Sequence, residues 1–465
     1  MKKNLFRISK LIMLMGVIAW FASCSSDSND DTGAPIETSN SIAQVVKDSD
    51  NFSTLEEALT KTNLESTFEG QGSFTLMAPT NAAFQAYFQA KGYSNIDDIP
   101  VDSLKNVLLN HVLKTKTTAS EMTKGYVSTM ATNSEGNNLS LYVNTDSGVT
   151  FNGEAMVEGQ DVEASNGVII TVDDVIDVPT VKTMVMADAS MSAMADAFTM
   201  GDGTTNFAKL ANTSSTKITL LVPSNDALKA FEANVSSDSN ASAEIENTLL
   251  NHFMAGTHLS SSLETGYSTT MAKDSEGKNL SIYINTNDDV MFNNEAKVTT
   301  SDIITINGVI HQTDKVVEIP TIETFLKADN NFETLLNAST EDGLSTDFEA
   351  MFEGNNDITL FAPTNAAFTD FAGELNTSVD ALDTVTLNSV LEYHVSSNMY
   401  LLSDLVNGLN ITSSLGTTIN VKVNADTNVT LTDAKSRTAN VTTEITASNG
   451  VMFSIDKVLL PAITL

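Results

Sequence analysis

One decapeptide, "TLMAPTNAAF" at 75–84, returns as "TLLVPSNDAL" at 219–228 and as "TLFAPTNAAF" at 359–368. Its prolines, Pro79, Pro223 and Pro363, are 144 and 140 residues apart, and Pro179, Pro320 and Pro461 step by 141 and 141. A second stretch keeps the same period: "SNGVIITVDDVIDVP" (165–179), "INGVIHQTDKVVEIP" (306–320) and "SNGVMFSIDKVLLPA" (448–462). His111, His252 and His394 follow it too, at steps of 141 and 142. A period this long exceeds the roughly 20–50 residues of solenoid repeats and matches a self-sufficient domain of about 100–150 residues. The chain therefore reads as three tandem copies of one domain, 39–179, 180–320 and 321–465.

Within a copy the hydrophobic period changes from helical to alternating. Ile42, Val45, Val46, Phe52, Leu55 and Leu59 open the first copy, and Ile322, Phe325, Leu326, Phe332, Leu335 and Leu336 the third. Their spacings of three and four predict amphipathic helices. "FTLMAP" is a short apolar strand that proline ends, and Thr80, Ser224 and Thr364 then stand where a helix N-cap belongs. The decapeptide is thus a strand–turn–helix joint. Later, "NLSLYVNT" (138–145) and "NLSIYINT" (279–286) alternate as half-buried strands do, and Asn-Gly or Asn-Asn marks the turns that follow. Helices first and strands later predict an α+β domain built on antiparallel sheet.

Residues 1–23 carry Lys2, Lys3, Arg7 and Lys10 and then an apolar run from Leu11 to Ala22, about half the length a spanning helix needs. They read as a secretory signal peptide. The single cysteine, Cys24, follows Ala22 and Ser23, and alone it cannot form an internal disulfide. The arrangement resembles a bacterial lipoprotein signal, in which cleavage before the cysteine leaves its thiol to carry lipid; Phe21 replaces the Leu usual in that pattern. Residues 24–38 then form a lipidated cysteine and a polar tether reaching on the order of 45–50 Å when stretched. Asp27, Asp30 and Asp31 resemble the export signal of Bacteroidota-type surface lipoproteins, which implies an outer-membrane protein facing the exterior.

Loss of residues 1–23 leaves 20 basic against 59 acidic side chains, a net charge of about −39. That field repels phosphate backbones and argues against nucleic acid as a partner. No segment shows the ligand spacing of an EF-hand calcium loop.

The decapeptide, "LEYHV" around His394 and "ASNGVMFSIDKVLLP" together resemble the first conserved box, the Tyr-His segment and the second box of the fasciclin (FAS1) domain, in that order and in all three copies. The resemblance implies two packed β-sheets flanked by helices, in a family of secreted or membrane-anchored adhesion proteins. It also marks Tyr393 and His394, since the tyrosine-histidine segment of animal members is linked with integrin binding. The first copy has Asn110-His111 there and the second Asn251-His252, while the second box-one copy carries Ser224 and Asp226.

Other candidates read as structural. One histidine per copy is too few for zinc, which takes three or four ligands; His258 and His311 occur in single copies. His111, His252 and His394 are expected to be buried and bonded to the first-box turn through Thr80, Ser224 and Thr364. Asp173, Asp314 and Asp456, six residues after a repeated glycine, have no equally repeated acid or base partner and are expected to hold turns. Met184, Met186, Met191, Met194 and Met200 are expected in the core or a loop. No G-x-S-x-G, H-E-x-x-H or phosphate-binding glycine loop is present, so no catalytic residue, cofactor or metal is assigned. Pro179-Thr180 and Pro320-Thr321 lead at once into the next helical pattern, which predicts a semi-rigid rod. The expected function is adhesion to a surface protein or glycan; glycan capture for uptake and a passive envelope spacer are the alternatives.

Overall fold

The computed structural model describes residues 40–199, 205–235, 241–375, 379–424 and 428–463. The signal, Cys24, the tether and Met200 lie outside them. Residues Ser39–Leu465 form one compact unit, and the same order of elements occurs in it three times. The class is α+β, as the change of period predicts. No described helix is long and apolar enough to cross a membrane.

Each copy begins with short helices whose ends are set by local polar groups. Ser41 starts Ile42–Lys47 by accepting from the Gln44 amide, and Thr80 starts Asn81–Lys91 by accepting from the Ala83 amide at 3.1 Å. Ser224 and Thr364 do the same for Ala227 and Ala367. Their buried face is the predicted one: Ile42, Val46, Phe52, Leu55 and Leu59 enter one core with Phe84, Ile169 and Val175. In the third copy Ile322, Phe325, Leu326, Phe332 and Leu335 pack likewise.

The two repeated boxes lie side by side as strands. Phe74–Pro79 pairs in parallel with Gly167–Val172, Ile218–Pro223 with Gly308–Thr313, and Ile358–Pro363 with Gly450–Ile455. This corrects the expectation of wholly antiparallel sheet. These strands are covered on both faces, and a continuous apolar run of that kind carries no mark of strand direction. The remaining pairings named for these sheets are antiparallel. In the second and third copies one long strand, Ala296–Thr305 or Thr438–Ala447, shifts register and passes from one sheet to the other, giving a seven-stranded whole. The first copy breaks this strand into Ala155–Met156 and Val162–Ala164, with Gly159 at φ 72° between them, and keeps two four-stranded sheets.

Neighbouring copies meet through one joint used twice. Tyr126 donates to Asp188 at 2.7 Å, and Tyr267 to Asp329 at 3.1 Å. The Ser140 hydroxyl accepts from the Ile304 amide and Ser281 from Thr446, both at 2.9 Å. Tyr142 joins the core of the following copy with Val181 and Met184, as Tyr283 does with Ile322 and Phe325. Burial, and next the facing aspartate, hold the Tyr126 and Tyr267 phenols well above their ordinary pKa. Both hydroxyls therefore remain donors at neutral pH.

The box pair leaves no room for a side chain at its start. A Cβ on Gly308 would stand 1.9 Å from the Ile218 carbonyl oxygen, with 2.1 Å at the equivalent Gly167 and Gly450. Gly308→Ala is expected to cost about 3 kcal/mol or more in the second copy, because backbone rather than a movable side chain must shift. Urea unfolding followed by circular dichroism would register it as an early transition absent from the parent.

Candidate functional site

The repeated histidine ends the helix Val101–Asn110 and its counterparts, and exposures of 0%, 0% and 1% place His111, His252 and His394 in the interior. Nδ1 lies 2.8, 2.8 and 2.7 Å from the carbonyls of Val107, Thr248 and Val390 one turn earlier. Nε2 accepts from the amides of Ile176, Val317 and Leu459 at 2.9, 3.0 and 2.9 Å. The neutral ring with its proton on Nδ1 satisfies both contacts. The histidine carbonyl accepts in turn from Met77, Leu221 or Phe361 of the first-box strand. One residue thus ties the helix end, the first box and the chain leaving the second box.

This differs from the expected bond to the first-box turn. The hydroxyls of Thr80, Ser224 and Thr364 are occupied as helix caps, and the ring turns instead to the segment that doubles back after the second box. Among the described residues no group of three or more His, Cys, Asp or Glu is placed to hold a metal ion.

The residue before the histidine explains how the copies diverge. Asn110 donates to the carbonyls of Ile176 and Asp177 and accepts from Thr129; Asn251 repeats this with Val317, Glu318 and Thr270. In the third copy Tyr393 packs its ring into a second core of that domain, the lower core formed with Ile411, Val421, Leu431 and Phe453, and donates to the Thr418 carbonyl at 2.8 Å. Tyr393 is 0% and His394 1% exposed, so in this arrangement the pair supports the surface and does not form it.

Other repeated polar residues are pins. Asp173, Asp314 and Asp456 accept from the amides of Met156, Lys297 and Asn440, holding the edge of the strand opposite the second box. The asparagine of each "NG" does more than mark a turn. Asn166 accepts from the Ile42 amide at 2.8 Å and donates to the carbonyls of Phe68 and Gly70, and Asn307 and Asn449 do the same around Val181 and Ile322. Its fixed place in all three copies was the available signal. Met184, Met191 and Met194 are core residues, whereas Met186 is 53% exposed. The surface itself offers large apolar side chains at Val385, Val406 and Leu402, at 75%, 57% and 41% exposure, and no aromatic residue of comparable exposure among the described residues.

Burial lowers the pKa of His252 from 6.5 to about 4, only partly opposed by its bond to Thr248. The unfolded chain therefore binds the proton more readily between these values, and the stability held by the neutral ring is complete above about pH 6.5 and shrinks toward pH 4. Relative to His252→Gln, the parent is expected to lose about 2 kcal/mol of its stability advantage between pH 7 and pH 5. Paired urea titrations at the two pH values test this, because carboxylate effects common to both proteins cancel in the difference.

The Fasciclin domain family model matches residues 50–179, 190–320 and 330–461. Over 428 residues the chain is 28% identical to transforming growth factor-beta-induced protein ig-h3 of Sus scrofa, covering 91% of this chain and 58% of that protein. It is 27% identical to periostin of Homo sapiens over 248 residues, 52% of this chain and 28% of periostin. The chain thus spans little more than half the length of the first of these relatives. Among solved structures, a FAS1 domain pair from the insect cell adhesion molecule fasciclin I is similar at a TM-score of 0.35 and 19% identity, covering 59% of this chain and 95% of that one. With three family matches in tandem and one box-pair, histidine and asparagine geometry in every copy, the chain belongs to the fasciclin-domain family.

Proposed function

We propose that this is a cell-surface adhesion protein, anchored to the outer membrane by lipid on Cys24 and facing the exterior, that binds a surface protein or glycan through its three domains. The observation that carries the reading is the joint used twice, Tyr126 to Asp188 and Tyr267 to Asp329, which holds three similar modules in one unit. Weak contacts on linked modules gain strongly when geometry lets them engage together. A protein ligand is favoured over a glycan because the exposed large apolar side chains are non-aromatic, as at Val385, Val406 and Met186, and do not offer the flat faces on which sugars stack. Tyr393 and His394 act in this reading by holding the third domain's surface in shape. The charge of −35 sets nucleic acid aside as a partner, and the reading assigns no catalytic step, cofactor or metal.

Ser39–Leu465, shown folded by circular dichroism, is expected to bind one class of ligand on an array of matrix proteins and polysaccharides at least about tenfold more tightly than any single domain. No binding by the folded unit would instead favour a passive spacer, and selective binding of one soluble polysaccharide would favour glycan capture. Anchoring has its own check. Cys24→Ser is expected to move the protein from the outer-membrane fraction to the soluble fraction, and retention in the membrane would remove the lipid from the account.

A further inference from the structure

The first copy contains a cleft of about 490 Å³ between the segment that follows His111 and the strand pair Gly125–Thr132 and Asn138–Asn144. Its size is that of a small-molecule site. Leu113 and Val143 form a buried apolar floor, and Met122 and Val127, half-buried, line the sides. Lys114 and Thr117 stand at the mouth.

Two lysines beside the cleft are paired with carboxylates, while Glu121, which lines the cleft, stays ionised because hydrogen bonds from Thr118 lower its pKa. Glu121 accepts from the amide and hydroxyl of Thr118, Lys116 pairs with Glu163, and Lys124 pairs with Asp146. Lys114 is exposed and has no ion pair among the described residues. It is an open cationic group beside an apolar cleft, in a chain whose net charge is −35.

Comparison with the other copies singles out this one. The amides of Thr117, His258 and Tyr400 donate to the hydroxyls of Thr75, Thr219 and Thr359 at 2.8, 2.9 and 2.8 Å, so the three residues are equivalent. In the second copy the His258 ring folds back onto the Ala255 carbonyl at 2.8 Å, and in the third Tyr400 packs against the lower core. A ring thus stands at the backbone position that the smaller Thr117 holds in the first copy. The carbonyls of Thr115, Gly256 and Asn398, which accept from the same three threonine hydroxyls, put Ala255 and Ser397 at the position of Lys114. The cation and the small side chain at the mouth occur together in the first copy alone.

We propose that this cleft binds a small amphipathic carboxylate, its unbranched alkyl chain lying along Leu113, Met122, Val127 and Val143 and its carboxylate meeting Lys114 at the mouth. A monoanion suits the site better than a phosphate ester, because each further negative charge adds repulsion from the acidic surface.

Octanoate is the probe, titrated calorimetrically into Ser39–Leu465, the compact unit that holds all the contacts above. Saturable one-site binding is expected. Thr117→Tyr, which copies the third domain, should abolish it, and Lys114→Ala should weaken it about fivefold, as loss of a partly exposed ion pair does. Octanol, with the same chain and no charge, should bind the parent as weakly as octanoate binds Lys114→Ala. Thermal midpoints equal to the parent's would show both variants folded. Absence of saturable octanoate binding, or binding unchanged in folded Thr117→Tyr, overturns the site; equal affinity for octanol and octanoate overturns the assignment of Lys114.

Discussion

The contact on which each domain depends is the parallel pairing of its two boxes, strands that lie about 90 residues apart in the chain. At Gly167, Gly308 and Gly450 the backbones approach too closely for any side chain. The other repeated residues brace that contact. Each histidine bonds both partners, taking an amide after the second box on its ring and an amide of the first box on its carbonyl. Each "NG" asparagine carries the brace to the opening helix. A parallel pair needs a long crossover, and here the crossover holds much of the domain, including the second sheet.

Three copies in one chain act as natural variants of one design. Where asparagine precedes the histidine, its amide bonds the chain leaving the second box; where tyrosine does, its ring joins the lower core. The joint between copies is distributed unevenly. Its tyrosines lie in the first and second copies and its aspartates in the second and third. At the start of the corresponding 3-10 turn the first copy has Ser49, whose side chain makes no cap hydrogen bond, in the place of Asp188 and Asp329.

Burial of the histidine hub separates what is repeated from what can recognise a ligand. The repeated histidines and "NG" asparagines lie inside, and beyond the buried exchange of Asn110 and Asn251 for Tyr393 the copies differ on the turn after the histidine and on its rim. Thr117, His258 and Tyr400 occupy one backbone position with three chemistries, and Leu402 in the third copy stands exposed where Ala119 and Ser260 stand in the others.

Much was legible without coordinates. The period set the number of copies, threes and fours set the helical faces that bury Ile42, Phe52 and Leu55, and the hydroxyls at Thr80, Ser224 and Thr364 announced helix starts. Local patterns suffice there because each depends on residues within a turn or two of one another. Strand direction, the amide that donates to each histidine ring and the joint between copies were not legible. His111 meets Ile176 and Tyr126 meets Asp188 across more than 60 residues, and such contacts leave no periodic trace in the chain. The sequence alone determined what repeats and where helices begin; only the tertiary structure decided which repeated groups touch, because hydrogen bonds and close backbone approaches depend on distance in space.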